Sequence, residues 1–160
     1  MLGNVNIFKL ITSIVICLLS GVIGSVFTAS SIENWYVLLE KPALNPPSWI
    51  FSPVWTILYI LMGISLYLVW EKGLQYPGVK FGITIFAIQL VLNTLWSIVF
   101  FGLRNPFYGF IEIIFLWIAI VITIWQFYKI SKTASYLLLP YLLWVTFATY
   151  LTYSIWILNP

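Results

Sequence analysis

The chain has 160 residues, 62% of them hydrophobic and 7% charged, whereas soluble domains carry about a quarter charged residues. So few charges cannot cover a water-facing surface, and the apolar excess must face lipid or another protein, lipid being the simpler reading. The formal net charge of +3 comes from scattered Lys and Arg, which excludes a nucleic-acid footprint; with no histidine and one cysteine, His-based catalysis, His-ligated haem, intrachain disulfides and thiolate metal sites are excluded too.

A spanning helix takes about 20 apolar residues, so five such helices with short loops use up the chain. The expectation is an all-α membrane protein, a five-transmembrane-helix bundle forming one domain over residues 1–160. The first helix is expected over residues 6–29. Its apolar run is too long for the core of a signal peptide, so it is read as retained. Cys17, Gly21 and Ser25 recur at every fourth position, as do Ser20, Gly24 and Thr28. Such stripes admit a close neighbouring backbone, and internal packing and a dimer interface both satisfy them.

Residues 30–52 form the one sizeable loop. Ser30 and Glu33 fit a capping box, which predicts a short helix running to Glu40 and ended by Lys41-Pro42. Pro46-Pro47 stiffens the chain, and Trp35, Tyr36, Trp49 and Phe51 supply apolar surface. The loop is therefore expected to be a structured lid on the bundle's mouth. The second helix is expected over 53–70, with Ser52 as N-cap and Pro53 as first helical residue. The third is placed at 80–101. Asn105-Pro106 repeats the cap-plus-proline start for a fourth at 106–128. The fifth, at 133–158, contains Pro140, which frees the carbonyl of Tyr136 and predicts a bend.

Lys9, Lys72, Lys80, Lys129 and Lys132 fall on one side of this bundle, Lys41 and Arg104 on the other. The positive-inside tendency then predicts a cytoplasmic N-terminus and an external C-terminus in a prokaryotic cell membrane.

On the third helix Gln89, Asn93, Trp96 and Phe100 share one face. Carboxamides in mid-membrane need partners, and two compatible readings follow: interhelical hydrogen bonding, and the wall of a ligand cavity. Tyr141, Trp144, Ala148, Leu151 and Ile155 form a second stripe, read either as packing or as a notch for a ligand. Glu112 lies inside the fourth span, either paired with Arg104 or functional. Of nine Trp and ten Tyr, Trp70, Trp117, Trp125, Tyr128 and Trp156 suit interfacial belts. Trp35, Trp49, Trp55, Trp96 and Trp144 instead converge on the outer mouth, where they can line a flat aromatic site.

Several ordered motifs resemble a known family. They are Trp35-Tyr36, Lys41-Pro42, Pro46-Pro47-x-Trp49, Pro53-x-Trp55, Leu58-Tyr59 and Met62-Gly63. Gln89-Leu90-x-Leu92-Asn93-x-x-Trp96, Phe100-Phe101-Gly102 and Leu138-x-Pro140-Tyr141-x-x-Trp144-x-x-Phe147-Ala148 continue the series. Together they resemble the translocator protein family, also called the tryptophan-rich sensory protein or peripheral-type benzodiazepine receptor (TspO/MBR) family, over nearly the whole chain.

The resemblance implies a five-helix bundle, commonly a homodimer, that binds porphyrin or haem as ligand rather than as a resident cofactor. Sterols and synthetic ligands are bound by some members. Carried over by position, the ligand site comprises Trp35, Trp49, Trp55, Asn93, Trp96, Phe100, Tyr108, Trp144, Ala148 and Leu151. Leu44 stands where a tryptophan is frequent, and Thr152 where an asparagine is usual. The family's sterol motif wants a basic residue soon after its tyrosine. Tyr153 is followed by Ser154-Ile155-Trp156-Ile157, so sterol recognition by that route is not expected.

Three functions compete. The first is tetrapyrrole binding with a sensory, regulatory or transport role. The second is light- and oxygen-dependent porphyrin degradation, with Trp55 and Trp144 flanking the ring; no acid–base or nucleophilic constellation is present for other chemistry. The third is a structural or regulatory membrane partner without a small ligand.

Overall fold

The computed structural model describes residues 5–160. Helices α1 (Ile7–Ile32), α2 (Phe51–Trp70), α3 (Val79–Ser97) and α4 (Pro106–Ile130) are followed by α5 (Lys132–Leu137) and α6 (Leu139–Leu158), which together form the last of five membrane-length spans. No strand occurs among the described residues. An all-α solution suits a bilayer, because helices satisfy their backbone hydrogen bonds internally. Outward faces stay apolar: Ile11, Val15, Leu19, Ile23, Val91 and Phe115 are all exposed.

The helices close into a ring in which α1 packs on α2 and α3, α2 on α5, α5 on α4, and α4 on α3 and α6. At one end the Lys9 ammonium lies 3.6 Å from the Glu71 carboxylate, and Gln126 Nε2 donates to Gly78 O at 3.1 Å. The five lysines grouped by the sequence pattern belong to this end, and the loop joining α1 to α2 lies at the other.

Small residues let α1 approach two partners in turn. A Cβ on Gly63 would sit 2.5 Å from Ile14 Cα, and one on Gly21 would sit 2.5 Å from the Tyr59 ring. Farther along, α1 leans onto α3. Gly24 faces Ser97, the Ser20 and Thr94 hydroxyls hydrogen-bond each other, and Ser31 Oγ donates to Phe101 O at 2.7 Å. The stripe of Cys17, Ser20, Gly21 and Gly24 is thus used inside the bundle. By crossing from α2 to α3, α1 leaves space beside the first turns of α2.

Several boundaries differ from expectation. Ser30 caps nothing: it lies inside α1, and its hydroxyl bonds back to Phe27 O. The helix expected to reach Glu40 is a single 3₁₀ turn, Tyr36–Leu38. A 3₁₀ turn at Ser48–Ile50 runs directly into α2, so Ser52 and Pro53 both fall in its first turn and Ser52 is not the N-cap. α3 ends in a π-helical turn, Ile98–Gly102, closed by Leu103 N donating to Ile98 O at 2.8 Å.

Asn105 does cap α4, its Oδ1 accepting from Tyr108 N at 3.0 Å. The fifth span is interrupted at Leu138, two residues before Pro140, as the missing N–H of proline predicts. Glu112 does not pair with Arg104. Its carboxyl is buried, and neither oxygen has a hydrogen-bond partner.

Candidate functional site

The space beside α1 is a cavity of about 560 Å³. Its walls are Gly21, Ser25 and Thr28 of α1, Trp55 and Tyr59 of α2, Asn93, Trp96 and Ser97 of α3, and Trp144, Ala148, Leu151 and Thr152 of α6. Phe100 and Phe101 of the π turn close one side, and Tyr36, Ser48 and Phe51 form the roof. No Lys, Arg, Asp or Glu contributes to the lining. Two glycines and two alanines keep side chains out of the space, while the indoles stand around it.

The aromatic walls are fixed by one another. Trp96 stacks on Phe100 with centroids 5.2 Å apart and planes 14° from parallel. Phe100 can lie back because Gly109 is beneath it, where a Cβ would come within 2.8 Å of its ring. Trp55 stacks on Tyr59 at 5.6 Å, and Phe51 meets the Trp144 ring edge-on at 6.0 Å. Offset and edge contacts of this kind are the preferred aromatic geometries.

Below the cavity lies a hydrogen-bonded chain. The Tyr59 hydroxyl donates to Asn93 Oδ1, Asn93 Nδ2 donates to the Tyr141 hydroxyl at 3.0 Å, and that hydroxyl donates to Gln89 Oε1 at 2.8 Å. All four residues are buried. Polar groups at this depth are costly unless paired; helices α2, α3 and α6 pair these except Gln89 Nε2, which has no partner.

The loop over the cavity is held by polar contacts that leave its aromatics on the bundle. The Tyr36 hydroxyl donates to Asn45 Oδ1 at 2.8 Å, and Asn45 Nδ2 donates to Pro46 O at 3.1 Å. Burial pushes the Tyr36 phenol above its usual pKa. Lys41 Nζ donates to Leu39 O at 2.9 Å and sits 4.9 Å from the Tyr36 ring centre. Asn159, just past α6, pairs with both backbone groups of Glu40: its Oδ1 accepts from Glu40 N at 3.0 Å and its Nδ2 donates to Glu40 O at 2.9 Å.

The family model described as the TspO/MBR family matches residues 13–157, a stretch that includes every wall of the cavity. The chain belongs to the TspO/MBR family. It is 48% identical over 157 residues to the tryptophan-rich protein TspO of Chlorobaculum tepidum, covering 98% of this chain and 99% of that one. The TspO of Archaeoglobus fulgidus is 51% identical over 155 residues, 96% and 99% of the two chains. The human translocator protein is 36% identical over 136 residues, 84% and 80% of the two chains.

Of the residues expected at a family ligand site, Trp55, Asn93, Trp96, Phe100, Trp144, Ala148 and Leu151 lie together on the cavity wall. Trp35 stands behind that wall, edge-on to Phe100 at 5.5 Å. Trp49 is off the wall and 73% exposed. Tyr108 is likewise off it, 58% exposed beside Phe107, and its backbone N–H serves the cap of α4. Sequence reasoning missed Tyr59, Ser97, Phe101 and Thr152 as wall residues. Tyr59 was within reach: it follows Trp55 by four positions and so shares its helix face.

Proposed function

We propose that the cavity binds a tetrapyrrole such as protoporphyrin or haem, and that binding serves a sensory, regulatory or transport role in the membrane. One observation carries this reading: an uncharged space of about 560 Å³ bounded by Trp55, Trp96, Phe100 and Trp144. A flat conjugated ring gains both apolar burial and stacking in such a space. Its propionates would lie towards Ser25, Thr28, Ser48, Ser52 and Thr56, the hydroxyl-bearing residues that line the cavity in α1 and around the start of α2. Haem would be held by stacking or by a weaker ligand such as Tyr, since the chain offers no imidazole for its iron. Relatives named as sensory and translocator proteins support the wider role.

Titration of the purified protein with protoporphyrin, followed by absorbance, is expected to give a saturable spectral shift at micromolar ligand. Absence of saturation overturns the reading. Porphyrin degradation is the second reading, favoured by the presence of Trp55 and Trp144 on one cavity; illumination of the complex in air would then yield a new coloured product. A partner protein without a small ligand needs no such cavity. The proposal includes a homodimer in a prokaryotic cell membrane, with the lysine-rich end cytoplasmic.

A further inference from the structure

A second concavity lies on the outside of the bundle, at the lysine-rich end and away from the cavity. The break at Leu138 creates it. Ser135 Oγ donates to Ile124 O at 3.0 Å and holds α5 against α4, while α6 sets off separately after the break. The groove left between them has a volume of about 320 Å³ and is walled by Ile124, Trp125, Tyr128, Tyr136, Leu139 and Leu142. Two cations outside the lining lie over aromatic rings that wall it. Lys129 Nζ lies 3.1 Å from the Trp125 ring centre, and Lys132 Nζ lies 5.6 Å from that of Tyr128. The nearest acidic residue in chain order on this end, Glu71, is already paired with Lys9.

We propose that this groove is a binding site for one anionic phospholipid, with an acyl chain along the apolar wall and the phosphate between Lys129 and Lys132. An apolar groove facing a bilayer is filled by lipid, and the charge at its head decides which lipid. Ammonium groups over aromatic rings keep N–H donors free for phosphate oxygens. A zwitterionic headgroup brings its own cation, which the two lysines repel. Basic pockets between helices on the cytoplasmic side suit acidic headgroups for this reason. The site is independent of the porphyrin reading.

Native mass spectrometry of the full chain, purified in detergent and exposed to equimolar phosphatidylglycerol and phosphatidylcholine, tests it. Retained phosphatidylglycerol is expected to exceed phosphatidylcholine about thirtyfold, the order that two surface cations support. Lys129→Gln with Lys132→Gln should bring the ratio near one, and the double Arg variant should restore it. Lys72→Gln with Lys80→Gln, on the same end but off the groove, should leave it unchanged. Leu139→Trp, which fills the groove, should reduce retention of both lipids. The proposal falls if wild type shows no preference, or if the two double Gln variants lose it equally, which would mark a diffuse surface charge. It also falls if millimolar inorganic phosphate displaces the lipid while Leu139→Trp has no effect, which would mark an anion site without an acyl groove.

Discussion

Tyr141 is a single hydroxyl serving two carboxamides, accepting from Asn93 and donating to Gln89. Removing it leaves both amides short of a partner in a buried, lipid-surrounded core. Tyr141→Phe is therefore expected to destabilise the fold by about 1–2 kcal/mol, read by unfolding in detergent; a variant as stable as wild type would show that the chain of bonds is dispensable. Trp144 and Trp117 allow a comparison on the ligand side. Trp144 is on the cavity wall, whereas Trp117 donates through Nε1 to Thr146 Oγ1 at 2.8 Å outside it. Losing a stacked aromatic costs about 1–3 kcal/mol by analogy with base stacking. Trp144→Ala should thus weaken protoporphyrin binding about tenfold or more relative to Trp117→Ala, and equal affinities would remove the assigned wall. At this scale the sequence revealed that Gln89 and Asn93 share a face and need partners. It did not reveal that Tyr59 and Tyr141 are those partners, because hydroxyls on other helices are matched only once register and rotation are set by packing.

Helix ends show where local signals hold and where tertiary contacts override them. Asn105-Pro106 starts α4 as written, since cap and proline act within one turn. Ser30 and Glu33 carry an equally good local signal, yet α1 continues through Ser30 to Ile32, and Glu33 is its C-cap. The bond from Ser31 Oγ to Phe101 O holds that last turn on the π turn after α3, and no window of sequence around Ser30 contains this partner. The π turn itself has no sequence signature beyond the aromatic pair it presents. The loop between α1 and α2 is ordered by capture as well as by its prolines. Asn159 mimics a peptide group and closes a two-bond pair on the backbone of Glu40. Asn159→Ala removes both bonds. Amide exchange should then rise across residues 33–50 while the inner turns of α2 and α4 keep their protection. Unchanged exchange in 33–50 would show that Tyr36 and the prolines hold the loop alone.

For the molecule as a whole, five spans were legible because hydropathy over about 20 residues is a coarse signal that survives errors at every boundary. The cavity was legible only as a set of aromatic faces. Its existence depends on α1 crossing from Tyr59 to Ser97, a path set by Gly21, Gly24 and Gly63. The ends of the bundle differ in charge, and this predicts an orientation that can be tested. Lys9, Lys72, Lys80, Lys129 and Lys132 share one end, with Glu71 bound to Lys9 and Lys9 itself 5.8 Å from the Trp70 ring centre. At the opposite end Lys41 is turned into the loop, donating to two backbone carbonyls, and Arg104 sits in a tight turn with φ of 53°. Basic residues close to span ends resist translocation, and acidic ones count for little. The lysine-rich end should therefore stay in the cytoplasm and the roof of the cavity should face outward. A reporter active only outside the cytoplasm should work when fused after Pro160 and fail when fused before Met1. Substituting Gln for Lys72, Lys80, Lys129 and Lys132 together should weaken this bias and give a mixed population. An N-terminal reporter active outside the cytoplasm in the unmodified chain would reverse the assignment, and with it the side from which a water-borne ligand meets the loop over residues 33–50.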